Sequence, residues 1–195
     1  ICFITKKIIF KMILLVGLGN PTPNSQNNRH NIGFKIIDAI NQNFSLSKQK
    51  PKFKGLLTMG NIGDEKVYAI KPLTFMNNSG TCIRELIEYF KIASKDIIVF
   101  HDDLDIEFGK IKAKFGGADA GHNGIKSLDK FIGKDYSRVR IGIGKPEKII
   151  VNDFVLGDFN EDEKIQLEEI SKKIIESVNL LIDKKLDLFS SKINN

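Results

Sequence analysis

Short apolar runs alternate along this chain with segments whose apolar residues recur at helical spacing. Residues 12–18 form an unbroken apolar run stopped by Gly19-Asn20-Pro21, which predicts a strand buried on both faces. Residues 24–28 form a polar loop. Over 33–40, Phe34, Ile37 and Ile40 share one face, so a helix is expected. Residues 56–61 and 66–70 flank Gly63-Asp64 and predict a hairpin. A second helix is expected over 79–90, with Ile83, Leu86, Ile87 and Phe90 on its apolar face. The run DIIVF at 96–100 predicts another buried strand, with His101-Asp102-Asp103 following at its C-terminal end. Residues 110–115 alternate lysine with Ile, Ala and Phe, the pattern of a strand with one polar face. A glycine-rich turn leads to a helix over 122–131 closed by Gly133, and RVRIGI at 138–143 alternates as a strand. Asn160 with Glu163 has the spacing of a capping box, opening a long amphipathic helix to about residue 182. This order of elements predicts an α/β fold, a single three-layer domain spanning 12–195.

Length and charge refine the picture modestly. A chain of 195 residues with 42% hydrophobic content can bury a sizeable core. The net charge of +6 fits an anionic partner, although the surplus is mostly lysine in a chain also rich in Ile and Asn. Cys2 and Cys82 are too few and too far apart for a disulfide framework or a zinc site, which fits a reducing cytoplasm. Residues 1–11 precede Met12 and are read as an upstream extension outside the fold. Lys11 interrupts the apolar stretch that a signal peptide needs, and no run approaches the roughly 18 apolar residues of a membrane span.

The polar residues gather where elements end. Asn20 follows the first strand and His101-Asp102 a later one, and in open α/β sheets ligands collect beyond the carboxyl ends of strands. Asn77 and Asn123 each stand at a helix start, where each could equally be an N-cap. His30, in NNRHNIGF, is by itself compatible with a surface histidine. All three histidines fall in these segments. Gly17-Leu18-Gly19 lacks the third glycine of a dinucleotide loop, and Pro146 stands where a phosphate loop after Gly144-Lys145 needs Ser or Thr. The ligand types for a metal exist in His30, His101, His122, Asp102, Asp103 and Asp105, but no helical HExxH brings them together, and no metal is expected.

Five ordered blocks, VGLGNPTPNSQNNRHNIGF, KPLTFMNNSG, HDDLD, GADAGHNGIKSL and RVRIGIGKP, resemble the bacterial peptidyl-tRNA hydrolase family over residues 12–157. The resemblance implies a mixed, twisted sheet flanked by helices. It also implies a cytoplasmic, monomeric esterase that cleaves peptide from the 3′ ribose of tRNA without metal or cofactor. His30 would accept the proton of water, as an imidazole of ordinary pKa near 6.5 can. Asp102 would fix its tautomer. Asn20 would read the amino side of the peptide, and Asn77 and Asn123 the scissile ester. Phe75 and Met76 would line the peptide channel. Lys112, Lys114 and Arg140 would meet RNA phosphates, and the two lysines, two apart on a strand, share a face. Three departures stand out: Ser25 replaces the family's aromatic residue in the substrate-binding set, Asn28 its threonine, and the glycine-rich loop before GHNG carries Ala118-Asp119-Ala120. Two other readings compete: a different hydrolase or phosphorylase-like enzyme on a related scaffold, and a non-catalytic RNA binder. The second should have lost His30 or Asp102, and both are present.

Overall fold

The structure, a computed structural model, describes residues 12–146 and 150–195. The expected extension at 1–11, with Cys2, lies outside the described residues. A mixed sheet of seven strands runs in the order β2-β3-β4-β1-β5-β7-β6. The strands are β1 (Met12–Gly17), β2 (Lys50–Lys52), β3 (Gly55–Ile62), β4 (Glu65–Pro72), β5 (Ile97–Asp103), β6 (Ile111–Phe115) and β7 (Ser137–Gly142). The four central strands pair in parallel, and the outer ones are antiparallel at both edges.

Strand alternation builds the three layers. Ile13 and Leu15 of β1 face one apolar cluster, and Leu14 and Val16 face another. The first cluster is completed by α1 (Ile32–Asn43), α5 (Glu161–Ile182) and α6 (Leu186–Asn194). The second is completed by α2 (Ser79–Phe90) and α3 (Asn123–Ile132). Cys82 is buried there, and burial pushes its thiol pKa up to about 12, so it packs as a small apolar group. The expected capping box opens α5: Asn160 accepts from the Glu163 amide at 2.9 Å and Glu163 from the Asn160 amide at 2.8 Å. Among the described residues no helix is long and apolar enough to cross a membrane.

Three elements escaped the sequence pattern. β2 reads Lys-Pro-Lys and is wholly exposed, so only its pairing with β3 makes it a strand. α4 (Val151–Val155) is a short helix beside the site. The third, α6, covers the open edge of β6: Ser190 Oγ accepts from the Ala113 amide at 2.8 Å and Asn194 bonds both backbone groups of Ile111. One boundary also needs correcting. β5 does not end at Phe100 but continues through Asp103, because its parallel ladder with β7 pairs His101 with Arg140 and Asp102 with Ile141. The polar run is therefore buried strand rather than loop.

Close backbone approach sets the site's depth. A Cβ on Gly33 would lie 2.4 Å from both the Leu18 nitrogen and the Phe100 oxygen. Only glycine lets the start of α1 press onto β1 and β5, and that contact carries the preceding His30 turn to the strand ends.

Candidate active site

His30 sits in a short 3-10 turn, Arg29–Asn31, and its neighbours explain its setting. Arg29 reaches away from the cleft to bond Glu163 at 2.8 and 3.0 Å and the Asp158 carbonyl at 2.7 Å. Its guanidinium also lies over the rings of Phe154 and Phe159. Asn31 clamps Asn20 from both sides, accepting from its amide at 2.8 Å and donating to its carbonyl at 2.9 Å. The two flanking residues fasten the turn to two other parts of the molecule, and His30 between them is left for Asp102.

Asp102 is 2% exposed and accepts from two imidazoles. His30 Nδ1 lies 2.9 Å from each of its oxygens, and His122 Nε2 lies 3.0 Å from Oδ1. His122 caps α3: its Nδ1 accepts from the Gly124 and Ile125 amides at 3.1 and 3.3 Å. A nitrogen that accepts from backbone N–H carries no proton, so the proton of neutral His122 is on Nε2 and points at Asp102. Asp102, an acceptor on both sides, then fixes His30 as the Nδ1–H tautomer, leaving the Nε2 lone pair for the substrate. Burial alone would raise the Asp102 carboxyl pKa. The attraction and hydrogen bonds of His122 and His30 outweigh burial and hold it far below the ordinary carboxylate range. His101 donates from Nδ1 to the Asp102 carbonyl at 2.7 Å, and burial, reinforced by His122, keeps its pKa well below the usual histidine value.

His30, Asp102 and His122 also present ligand-type atoms within 4.8 Å of one another. The donor set does not suit a metal. A metal on His122 Nε2 would require a proton on Nδ1, which here accepts two backbone amides and cannot donate.

The other expected residues fall into three groups. Asn77 and Asn123 are exposed, and neither side chain makes a hydrogen bond among the described residues. Neither is an N-cap: that position belongs to Asn78 for α2 and to His122 for α3. Asn123 lines a cavity of about 160 Å³ together with His30, Asp102, His122 and Val155. Asn20 does not line that cavity. It faces a neighbouring one of about 430 Å³ with Asn31, Phe34 and Lys71. Its Oδ1 accepts from the Met76 amide at 2.9 Å, which orients its NH₂ as a donor for a ligand. Phe75 is 56% exposed and holds φ at +58°, a strained backbone for an aromatic residue, just before the turn that carries Asn77. Met76 is a correction: it is 3% exposed, its side chain packs in the core close against Gly124, and only its backbone amide reaches Asn20. Ser25 is another. It is buried and hydrogen-bonded to Thr22, turned away from both cavities.

Lys112 and Lys114 project from edge strand β6, and Arg140 stands directly across from Lys112 on β7. The three are together, but not equivalent. Arg140 is tied to Asp103 at 2.6 Å. Burial and then Arg140 lower the Lys114 pKa. The sequence reading missed His122 and Asn31 as partners and Val155 as a cleft wall. The first two could have been found as neighbours of Asn123 and His30.

These features define a buried carboxylate–imidazole site at the strand ends of a three-layer α/β domain. The model of the family Peptidyl-tRNA hydrolase matches residues 14–195. A peptidyl-tRNA hydrolase of Pelagibacter ubique (strain HTCC1062) is 77% identical over 185 residues, covering 94% of this chain and 100% of the relative. One from Chelativorans sp. (strain BNC1) is 48% identical, covering 88% and 72%. The crystal structure of peptidyl-tRNA hydrolase from Acinetobacter baumannii superposes with a TM-score of 0.87 at 34% identity, covering 94% of each chain. A purine nucleoside phosphorylase from Toxoplasma gondii, at TM-score 0.52 and 8% identity over 89% and 92% of the two chains, shares the fold alone. The chain belongs to the peptidyl-tRNA hydrolase family.

Proposed function

We propose that the protein cleaves the ester between peptide and tRNA with a water activated by His30, and that it works in the cytoplasm as a monomer. The observation that carries this reading is the double acceptance by Asp102, which leaves one free imidazole lone pair at a cavity wall. Water gives its proton to His30 Nε2 as its oxygen attacks the ester carbonyl carbon. The bond from that carbon to the ribose 3′ oxygen then breaks, and the departing oxygen takes the proton back from His30. Asp102 stays ionised throughout and stabilises the imidazolium between those steps.

The amides of Asn77 and Asn123, unpaired in the fold, donate to the ester as its carbonyl oxygen gains charge. Asn20 offers its NH₂ to the acyl carbonyl on the peptide's blocked nitrogen. A free aminoacyl group has no such carbonyl and presents a donor-only ammonium instead, so it is rejected. Lys112 and Lys114 hold phosphates of the tRNA body.

Incubation with N-acetylaminoacyl-tRNA tests this reading. Free tRNA should appear at the same rate with and without EDTA, and much more slowly from the unblocked aminoacyl form. A rate abolished by EDTA would overturn it in favour of a metal on the His30–Asp102–His122 group.

A further inference from the structure

Asp103 closes β5 one residue beyond Asp102, and the proton chemistry of the site leaves it without a task. It is 6% exposed and lines the same cavity as His30 and Asp102. Its Oδ2 accepts from Arg140 Nε at 2.6 Å, and its Oδ1 from the Asp105 amide at 2.9 Å. We propose that Asp103 is a positioning residue for the RNA clamp. It holds the Arg140 guanidinium with both terminal nitrogens turned to a tRNA phosphate, and so ties the grip on the tRNA body to the wall of the reaction cavity. The proposal rests on the reading of Lys112, Lys114 and Arg140 as phosphate ligands.

Register places the pieces. Arg140 lies across from Lys112 on β6 and from His101 on β5, and Asp103 is two residues beyond His101, on the same face of the sheet. Val139 and Ile141, on either side of Arg140, turn to the opposite face and join the first apolar cluster. The donors of Arg140 are divided in a way that its buried counterparts do not share. Arg29 and Arg138 each use both terminal nitrogens inside the fold, Arg29 on the Asp158 carbonyl and Glu163, Arg138 on the Ala118 carbonyl and Asp129. Arg140 uses Nε alone: its Nη1 and Nη2 have no acceptor among the described residues, and neither is sealed from solvent. Those two nitrogens are the edge that takes a phosphate with two parallel hydrogen bonds.

A carboxylate behind the guanidinium has two opposed effects on a phosphate in front of it. Its charge weakens the attraction, while its hydrogen bond removes the need to order a long side chain on binding. The first effect acts across a solvent-facing edge, where salt at physiological strength screens charges over about 8 Å. The second acts at full strength, because the carboxylate is itself immobile. The Asp105 amide holds its other oxygen, and the Ile143 amide holds the Asp103 carbonyl at 3.0 Å. Ordering one such side chain at the moment of binding weakens an interaction about two- to tenfold. Orientation therefore outweighs charge, and Arg140 is the fixed member of a clamp whose lysines adjust.

The test uses two N-acetylaminoacyl esters, one on full tRNA and one on a 3′-terminal trinucleotide that lacks the tRNA body. The quantity read is the ratio of KM on the first to KM on the second. D103N should raise this ratio about two- to tenfold. Its slope of log KM against log salt on full tRNA should match wild type, because no cation has been removed. R140A should raise the ratio at least as far and lower that slope by about 0.9, one phosphate contact. D103N/R140A should go no further than R140A, since Asp103 acts through that guanidinium. R140K, which keeps the charge without the fork, should raise the ratio at an unchanged slope, and it reports on orientation even if D103N folds poorly. A ratio in well-folded D103N at or below wild type, with R140A raised, would overturn the role of Asp103. An unchanged ratio and slope in R140A would overturn the phosphate reading beneath it, a distinguishable failure.

Discussion

The His30 site and the lysine-bearing surface of β6 both handle charge, yet they are built in opposite ways. At the site, Asp102 is buried, every proton between it and the two imidazoles is assigned, and the His30 turn is clamped on both sides. On the surface, Lys112 stands exposed with no carboxylate partner among the described residues. The contrast follows from what each must do. A proton moves correctly only if its donor and acceptor are fixed beforehand, and burial makes each hydrogen bond count. A phosphate chain can be met by cations that adjust, and an exposed lysine stays solvated until RNA displaces its counterions. Arg29 marks the divide. It is a cation made structural, spent on Glu163 and two aromatic rings rather than on RNA.

The largest expected break in this contrast is at the base. His30→Ala should lower kcat about 10²–10⁴-fold, and because it removes one of the two N–H groups that buried Asp102 accepts, it should also cost about 1–3 kcal/mol of stability. Retained turnover in a steady-state assay would remove His30 from the proton path. Arg29→Ala should act chiefly on stability. Losing a largely buried ion pair costs about 3 kcal/mol, or roughly 6–12 °C in Tm. Calorimetry showing no shift would mean the clamp is idle.

Asp102 gives the next test, through pH. Its folded pKa lies below its ordinary value of 3.8, so its contribution to stability is complete above that value and is lost as pH falls through the lower folded one. The wild-type Tm should therefore drop on acidification below about pH 4, and Asp102→Asn, with nothing to protonate there, should drop less. At neutral pH the same variant should be less stable by about 1–3 kcal/mol, because its NH₂ must face an imidazole N–H. Parallel acid profiles would contradict the buried double acceptor. The smallest effect is at the surface. K112A/K114A should leave Tm within about 1 °C and reduce the salt slope for full tRNA by about 0.9 per lysine. A slope equal to wild type would show those lysines to be merely solvated.

Where the sequence was legible, periodic burial made it so. The helix over 79–90 and the capping box at Asn160 match the structure because each depends on residues within a turn or two. β2 and α6 were hidden because pairing with β3 and covering β6 supply the energy that their own patterns lack. In the site, His30, Asp102 and their pairing across 72 positions could be expected from the resemblance of their blocks, but the second imidazole on Asp102 could not. Met76 and Ser25 were misplaced for one shared reason: a residue's type next to a functional neighbour does not say which way its side chain turns. Met76 went into the core and Ser25 onto Thr22. His122 was undervalued because an imidazole as a helix cap is unusual, yet that cap is what assigns its proton.

The central claim is that Asp102 accepts one N–H from each of two imidazoles. Nitrogen-15 NMR of the imidazoles, recorded in mildly alkaline buffer, reads this directly. The account predicts His30 protonated on Nδ1 and His122 on Nε2, with both signals altered in Asp102→Asn. A His122 protonated on Nδ1, or a His30 protonated on Nε2, would contradict it.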